Sequence, residues 1–142
     1  MYQYNIEEVE EKMKGKSPGP IYCVKCGRNR TCELVTGKEI YPHRADLYEL
    51  SFYRCPKCGN YVGCHKGTNR PLGVIPTPEL RQARMKVHAK LDPLWKNGII
   101  ERNKLYKMLS DALGYKYHTA ETRSIEQCLQ VYDLVCKIEK DI

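Results

Sequence analysis

The sequence predicts an α+β protein: a small β module, then a bundle of about three helices, with a short helix ahead of both. Two Cys-x-x-Cys-Gly turns, Cys23 to Gly27 and Cys55 to Gly59, lie among short segments broken by glycine and proline, the texture of strands joined by turns. From Thr77 onward apolar residues recur at spacings of three and four, the period of helices that bury one face. Size agrees with this division, since 142 residues that are 42% hydrophobic and 29% charged can bury a modest core but have no large one to spare. The expected boundaries are 1–20 for the N-terminal helix and linker, 21–76 for the β module and 77–142 for a helical module packed against it.

Within residues 4–14, Ile6, Val9 and Met13 make a short amphipathic pattern flanked by glutamates, and the Gly15 to Pro20 stretch breaks it as a linker. Glu33 to Thr36 and Lys38 to Tyr41 flank Gly37 as a candidate hairpin, and Tyr48, Leu50 and Phe52 alternate as on one strand face. Thr77-Pro78-Glu79 opens a helix expected to run to about Lys90, with Leu80, Ala83 and Val87 on its apolar side. Asp92 to Trp95 reads as a turn or short helix with the single tryptophan in the core, ended by Asn97-Gly98. Residues 100–113 form the next helix, with Leu105, Met108, Leu109 and Ala112 inward and Gly114 as its cap. Ser124 and Gln127 fit a capping box for the last helix, whose inward stripe is Ile125, Cys128, Leu129, Tyr132, Val135 and Cys136.

The N-terminus is acidic and lacks the apolar stretch of a signal peptide, and no apolar run approaches the roughly 20 residues that cross a bilayer. A cytoplasmic protein with no membrane partner is therefore expected, and its eight cysteines are expected as reduced thiols. In that setting Cys23, Cys26, Cys55 and Cys58 read as the ligands of one Zn²⁺, in an elaborated zinc ribbon whose 28 residues between Cys26 and Cys55 hold an extra excursion. Four thiolates close the tetrahedron, so the site is structural and leaves no position for a reacting water. Lys25, Arg28 and Lys57 sit in or beside the turns and offset its negative charge. The segments CVKCGRNRTC and CPKCGNYVGC echo each other, each with a third cysteine. Cys32 and Cys64 would thereby come together, and with His65 or His43 they are the candidates for a second metal, although third cysteines more often serve as small buried apolar residues. Cys128 and Cys136, which lack a local Cys or His partner, read as core thiols.

Residues 15–96 carry a net charge of +9, residues 1–14 carry −2 and residues 97–142 have as many acids as bases, which together give the net +7. A polyanion would dock on that basic portion. The candidate nucleic-acid contacts are His43, Arg44 and Arg54 among tyrosines, Lys66 and Arg70 in the glycine-containing loop after Cys64, and Arg81 and Arg84 on the first long helix. Aromatic rings stack bases while basic groups meet phosphate, although small zinc modules also use tyrosines as core. Two other readings stand beside this one. A nuclease of the zinc-supported HNH type would use His43 and His65, but His43 has no adjacent histidine or aspartate and His65 lies seven residues past Cys58. A module that binds and redirects a host protein would use the ribbon as scaffold, with the 77–96 helix and the acidic N-terminal helix as docking surfaces.

The ordered set Cys23-x-x-Cys26-Gly27, Ile40-Tyr41-Pro42-His43-Arg44, Asp46-Leu47, Phe52-Tyr53-x-Cys55-Pro56-x-Cys58-Gly59 and Tyr61-Val62-Gly63-Cys64-His65-Lys66-Gly67-Thr68 resembles the zinc-finger-containing domain of bacterial and phage proteins. The resemblance continues through Pro71-Leu72-Gly73, Glu79-Leu80-Arg81, His88, Asp92 to Lys96 and Leu113-Gly114, covering nearly all of the chain after residue 20. It implies zinc and a phage or mobile-element setting, and it supplies no reaction.

Overall fold

A computed structural model describes residues 19–142, and the helix expected at 4–14 and most of the linker after it lie outside the described residues. The chain divides into two compact units at Pro76 and Thr77. Five short strands in two antiparallel sheets make up the first, and helices the second, which is an α+β class.

In the first unit β1 (Ile21–Cys23) pairs with β2 (Arg28–Arg30), with Ile21 opposite Arg30 and Cys23 opposite Arg28. β3 (Glu33–Thr36), β4 (Ser51–Arg54) and β5 (Tyr61–Gly63) form the other sheet in that order. Both cysteine turns are thus hairpin loops, one joining β1 to β2 and the other β4 to β5. Each closes in the same way: the amide of Gly27 donates to the Cys23 carbonyl at 2.8 Å and that of Gly59 to the Cys55 carbonyl at 2.9 Å. Their φ values of +68° and +78° belong to the left-handed region, where a side chain is strained. The end of the unit returns to β1: Ile75 donates to the Tyr22 carbonyl at 2.8 Å and accepts from the Val24 amide at 3.0 Å. The core gathered there is Ile21, Cys23, Cys32, Tyr53, Cys55, Val62 and Ile75, so the thiols themselves supply part of a small hydrophobic cluster.

The excursion between the hairpins differs from the sequence expectation. β3 forms, but Gly37–Ile40 is one helical turn, α1, where a second strand was expected over Lys38 to Tyr41, and β3 pairs with β4. Sterics explain the change, because a Cβ on Gly37 would sit 1.6 Å from the Leu47 carbonyl oxygen and the Gly37 amide donates to Leu50 at 2.8 Å. The chain therefore turns hard against its own return, through a 3-10 turn at Ala45–Leu47. Tyr48 and Leu50 consequently lie in a turn and not on the strand face expected for them, which begins at Ser51.

In the second unit α2 (Pro78–Lys96) is capped by Thr77, whose hydroxyl accepts the Leu80 amide at 3.1 Å. It runs past the expected end near Lys90, straight through Pro93. Trp95 is not a core residue: it is half-buried at the helix end, with Nε1 donating to Asp92 at 3.1 Å and the cations of Lys96 and Arg102 over its ring. α3 (Arg102–Leu113) buries Leu105 and Leu109 but leaves Met108 and Ala112, expected inward, exposed. α4 (Ile125–Lys140) packs against both other helices and buries Cys128, Val131 and Val135. Its face is rotated from the expected stripe, so that Ile125, Leu129 and Tyr132 are exposed. Ser124 accepts the Gln127 amide at 3.2 Å, while the Gln127 side chain accepts from Arg123, one residue before the position a capping box uses. No helix among the described residues is long and apolar enough to cross a membrane.

Candidate metal centre

The two hairpin loops bring Cys23, Cys26, Cys55 and Cys58 together, with all four Sγ atoms within 4.8 Å of one another. Closest across the pair of loops are Cys23 to Cys58 at 3.4 Å and Cys26 to Cys55 at 3.8 Å. Zn–S bonds of about 2.3 Å in a tetrahedron require sulfurs about 3.8 Å apart, so the set fits zinc without rearrangement of the loops. Backbone amides complete the cradle. The Cys26 amide donates to Cys23, those of Lys57 and Cys58 to Cys55, and that of Asn60 to Cys58.

These surroundings act differently on the metal-free thiols. Burial pushes Cys23 up to about 12 against its amide donor. Burial opposes the shift at Cys55 too, yet the amide donors of Cys58 and Lys57 and the neighbouring thiols bring it down to about 7. Cys32 and Cys64 have no such donors, and burial raises each to about 11. They are protonated at neutral pH, and the Cys32 thiol donates to the Arg30 carbonyl at 3.4 Å. Cys32 is buried in the core cluster and Cys64 packs against it, where they fill space. Among the described residues the four cysteines are the one group of three or more His, Cys, Asp or Glu that could hold a metal, and neither His43 nor His65 joins such a group.

One residue beside the centre escaped the sequence reading. Arg30, at the end of β2, is half-buried, and its guanidinium is pushed further up by the nearby thiols, Cys26 first. Lys25, Arg28 and Lys57, visible from their positions in and beside the loops, are exposed.

The candidate polyanion contacts fare unequally. Arg44 is exposed but clamped in a two-pronged pair with Asp46, at 2.9 and 2.7 Å. Arg54 lies between Glu33 at 3.2 Å and Glu39 at 3.5 Å. Lys66 and Arg70 are exposed on a loop that consumes its own amides: His65 donates to Arg70, Thr68 to His65, and Arg70 to the Thr68 hydroxyl. Tyr53 anchors this loop from the core by donating to the Asn69 carbonyl at 2.6 Å. His43 is exposed and Arg81 half-buried. Arg84 is inside, 8% exposed, and donates to the Thr122 carbonyl in a pocket shared with Tyr117 and Thr119. Burial brings its guanidinium down to about 10, still charged at neutral pH. The three- and four-residue spacing that grouped it with Arg81 and His88 does not distinguish a basic face from one buried arginine. The rings of Tyr41, Phe52 and Tyr61 meet edge to face at 5.7 to 5.9 Å, engaged with each other.

Paired cysteine hairpins with a closed four-sulfur site define a protein whose fold is stabilised by zinc and whose metal has no free coordination position. The chain belongs to the family of the zinc-finger-containing domain, whose model matches residues 19–138. No curated protein and no solved structure matches it.

Proposed function

We propose that the zinc module binds the phosphate backbone of nucleic acid through Lys25, Arg28, Lys57, Lys66 and Arg70, with His43 beside them. One observation carries this reading: these five cations are exposed and make no ion pair with a described acidic residue, while Arg44 and Arg54 hold Asp46, Glu33 and Glu39. Lys25 and Lys57 occupy the same position in the two loops, so the metal centre presents them as a matched pair. The sign of the field survives metal binding: Zn²⁺ on four thiolates contributes about −2, against four cations at Lys25, Arg28, Arg30 and Lys57. Because the module's aromatic rings pack on one another, phosphate contact dominates over base stacking and sequence preference is weak. Arg81 is the helical unit's candidate for the same partner, and Arg84 is withdrawn from it.

Binding to single- and double-stranded DNA and RNA, measured over a salt series, tests this. Lys25→Glu with Lys57→Glu should lower affinity at least tenfold at low salt and flatten the log–log salt slope by roughly 2, with zinc content unchanged. Affinity indifferent to salt, or to this pair of substitutions, rejects the reading.

A separate feature of the helical unit favours a protein partner. α2 and α4 leave between them a groove of about 590 Å³, lined by Ala83, Val87, Ile125, Leu129 and Tyr132. Small residues on α2 give it depth, and Lys86 at its rim makes no ion pair with a described acidic residue. Its fitting occupant is an amphipathic helix with an acidic flank. Leu129→Glu should abolish binding of such a helix while leaving nucleic-acid affinity intact; equal binding by wild type and Leu129→Glu eliminates the groove as the dock.

A further inference from the structure

In the helical unit, a ridge on α4 stands beside a hollow on α2. Ile125, Leu129 and Tyr132 make the ridge, with Leu129 59% exposed, and the small side chains of Ala83 and Ala89 leave the hollow next to it. Charge is sorted across the same surface. Lys86 is exposed on the outer rim of the hollow. Glu126 and Asp133 lie three residues before and four after Leu129, which makes them its neighbours on the helix face. Steps of about 100° per residue put them on the side of the ridge turned away from Cys128, which lines the hollow. Lys86, Glu126 and Asp133 are all exposed, and none makes an ion pair with a described residue. The two helices run in the same direction, with Arg84 bonded to Thr122 and Lys90 paired with Glu139, so Lys86 falls level with the turns between Glu126 and Asp133.

Across this face the order is base, hollow, ridge, acid. A facing copy, given a half-turn about an axis along the helices, presents the reverse order, so ridge meets hollow and base meets acid on both sides. A surface complementary to itself in this way is what a two-fold dimer requires. We propose that this face joins two copies of the chain, with α4 of each copy lying in the hollow of the other and Lys86 of each meeting Glu126 and Asp133 of the other. The proposal rests on the reading of the groove as a dock for an acidic-flanked amphipathic helix, and it names α4 of a second copy as that helix. Apolar burial along the ridge supplies the attraction, and the charges fix the register.

Sedimentation equilibrium of the full-length, zinc-loaded protein over about a hundredfold range of concentration tests this. Wild type should dimerise reversibly and Leu129→Glu should be monomeric. Lys86→Glu, and the double variant Glu126→Lys with Asp133→Lys, should each raise the dissociation constant at least tenfold, because like charges then face one another. An equimolar mixture of these two variants should return to within about threefold of wild type, since every contact in the mixed dimer again joins opposite charges. A monomeric wild type overturns the proposal, as does a dimer indifferent to the charge variants or a mixture that shows no recovery. Should Leu129→Glu lose its helical circular dichroism, the exposed-charge variants and their mixture decide. Titration with a synthetic amphipathic helix bearing glutamates on one flank separates the two readings. A monomeric wild type that binds this peptide overturns the dimer alone, and one that does not bind it removes the groove as a dock as well.

Discussion

A serine in place of Cys23, Cys26, Cys55 or Cys58 removes one corner of the tetrahedron, and in a module whose core contains two of those sulfurs it also removes packing. Each of these four variants should lose stoichiometric zinc by elemental analysis, together with the near-ultraviolet signal of Tyr53. Cys32→Ala and Cys64→Ala should keep one zinc per chain and lose only about 1–2 kcal/mol of stability, since their protonated thiols act as small apolar groups. Gly37→Ala is the severe change outside the metal centre. A methyl group 1.6 Å from a backbone oxygen forces the excursion to move, and urea unfolding should show a loss of about 2–4 kcal/mol. At this scale the sequence was legible wherever chemistry is local: two thiols three residues apart announce a metal loop. Arg84 was hidden because a helical period locates a face without saying which side is wet.

Elements were readable where capping chemistry marks them, as at Thr77, Ser124 and Gly114. They were misread where one close contact overrides propensity. Lys38 to Tyr41 curls because Gly37 meets the Leu47 carbonyl, and α2 continues past Asp92 although a proline usually stops a helix. Pro93 sits on the exposed side of α2, with its carbonyl still accepting the Asn97 amide at 3.0 Å, so the interruption is confined to its own missing donor. Pro93→Ala restores that donor and should stabilise the helical unit by about 1 kcal/mol or more, visible as a raised melting temperature. Arg84→Ala should do the opposite, costing about 2–4 kcal/mol through the lost bond to Thr122 and the space left beneath α2, whereas Lys86→Ala on its exposed side should change stability by less than about 0.5 kcal/mol.

For the molecule as a whole, every metal ligand comes from the unit before Thr77, while the helices after it carry a core of their own around Leu91, Leu105, Leu109 and Val131. Chelation should therefore abolish the zinc module's calorimetric transition and leave most of the helical circular dichroism in place. A fully cooperative loss of both signals on chelation would contradict that expectation. The placement of both cysteine loops at hairpin tips also makes the metal a cross-link between two locally folded pieces, spanning the 28 residues from Cys26 to Cys55. Treated as a ring closure, it removes roughly 3–4 kcal/mol of unfolded-chain entropy. Because that quantity grows only logarithmically with ring size, doubling the span changes it by about 0.6 kcal/mol. The exposed tip at Pro42 and His43 is accordingly where this chain can acquire new length, and with it new contacts, while the clamp that holds the module together is left almost untouched.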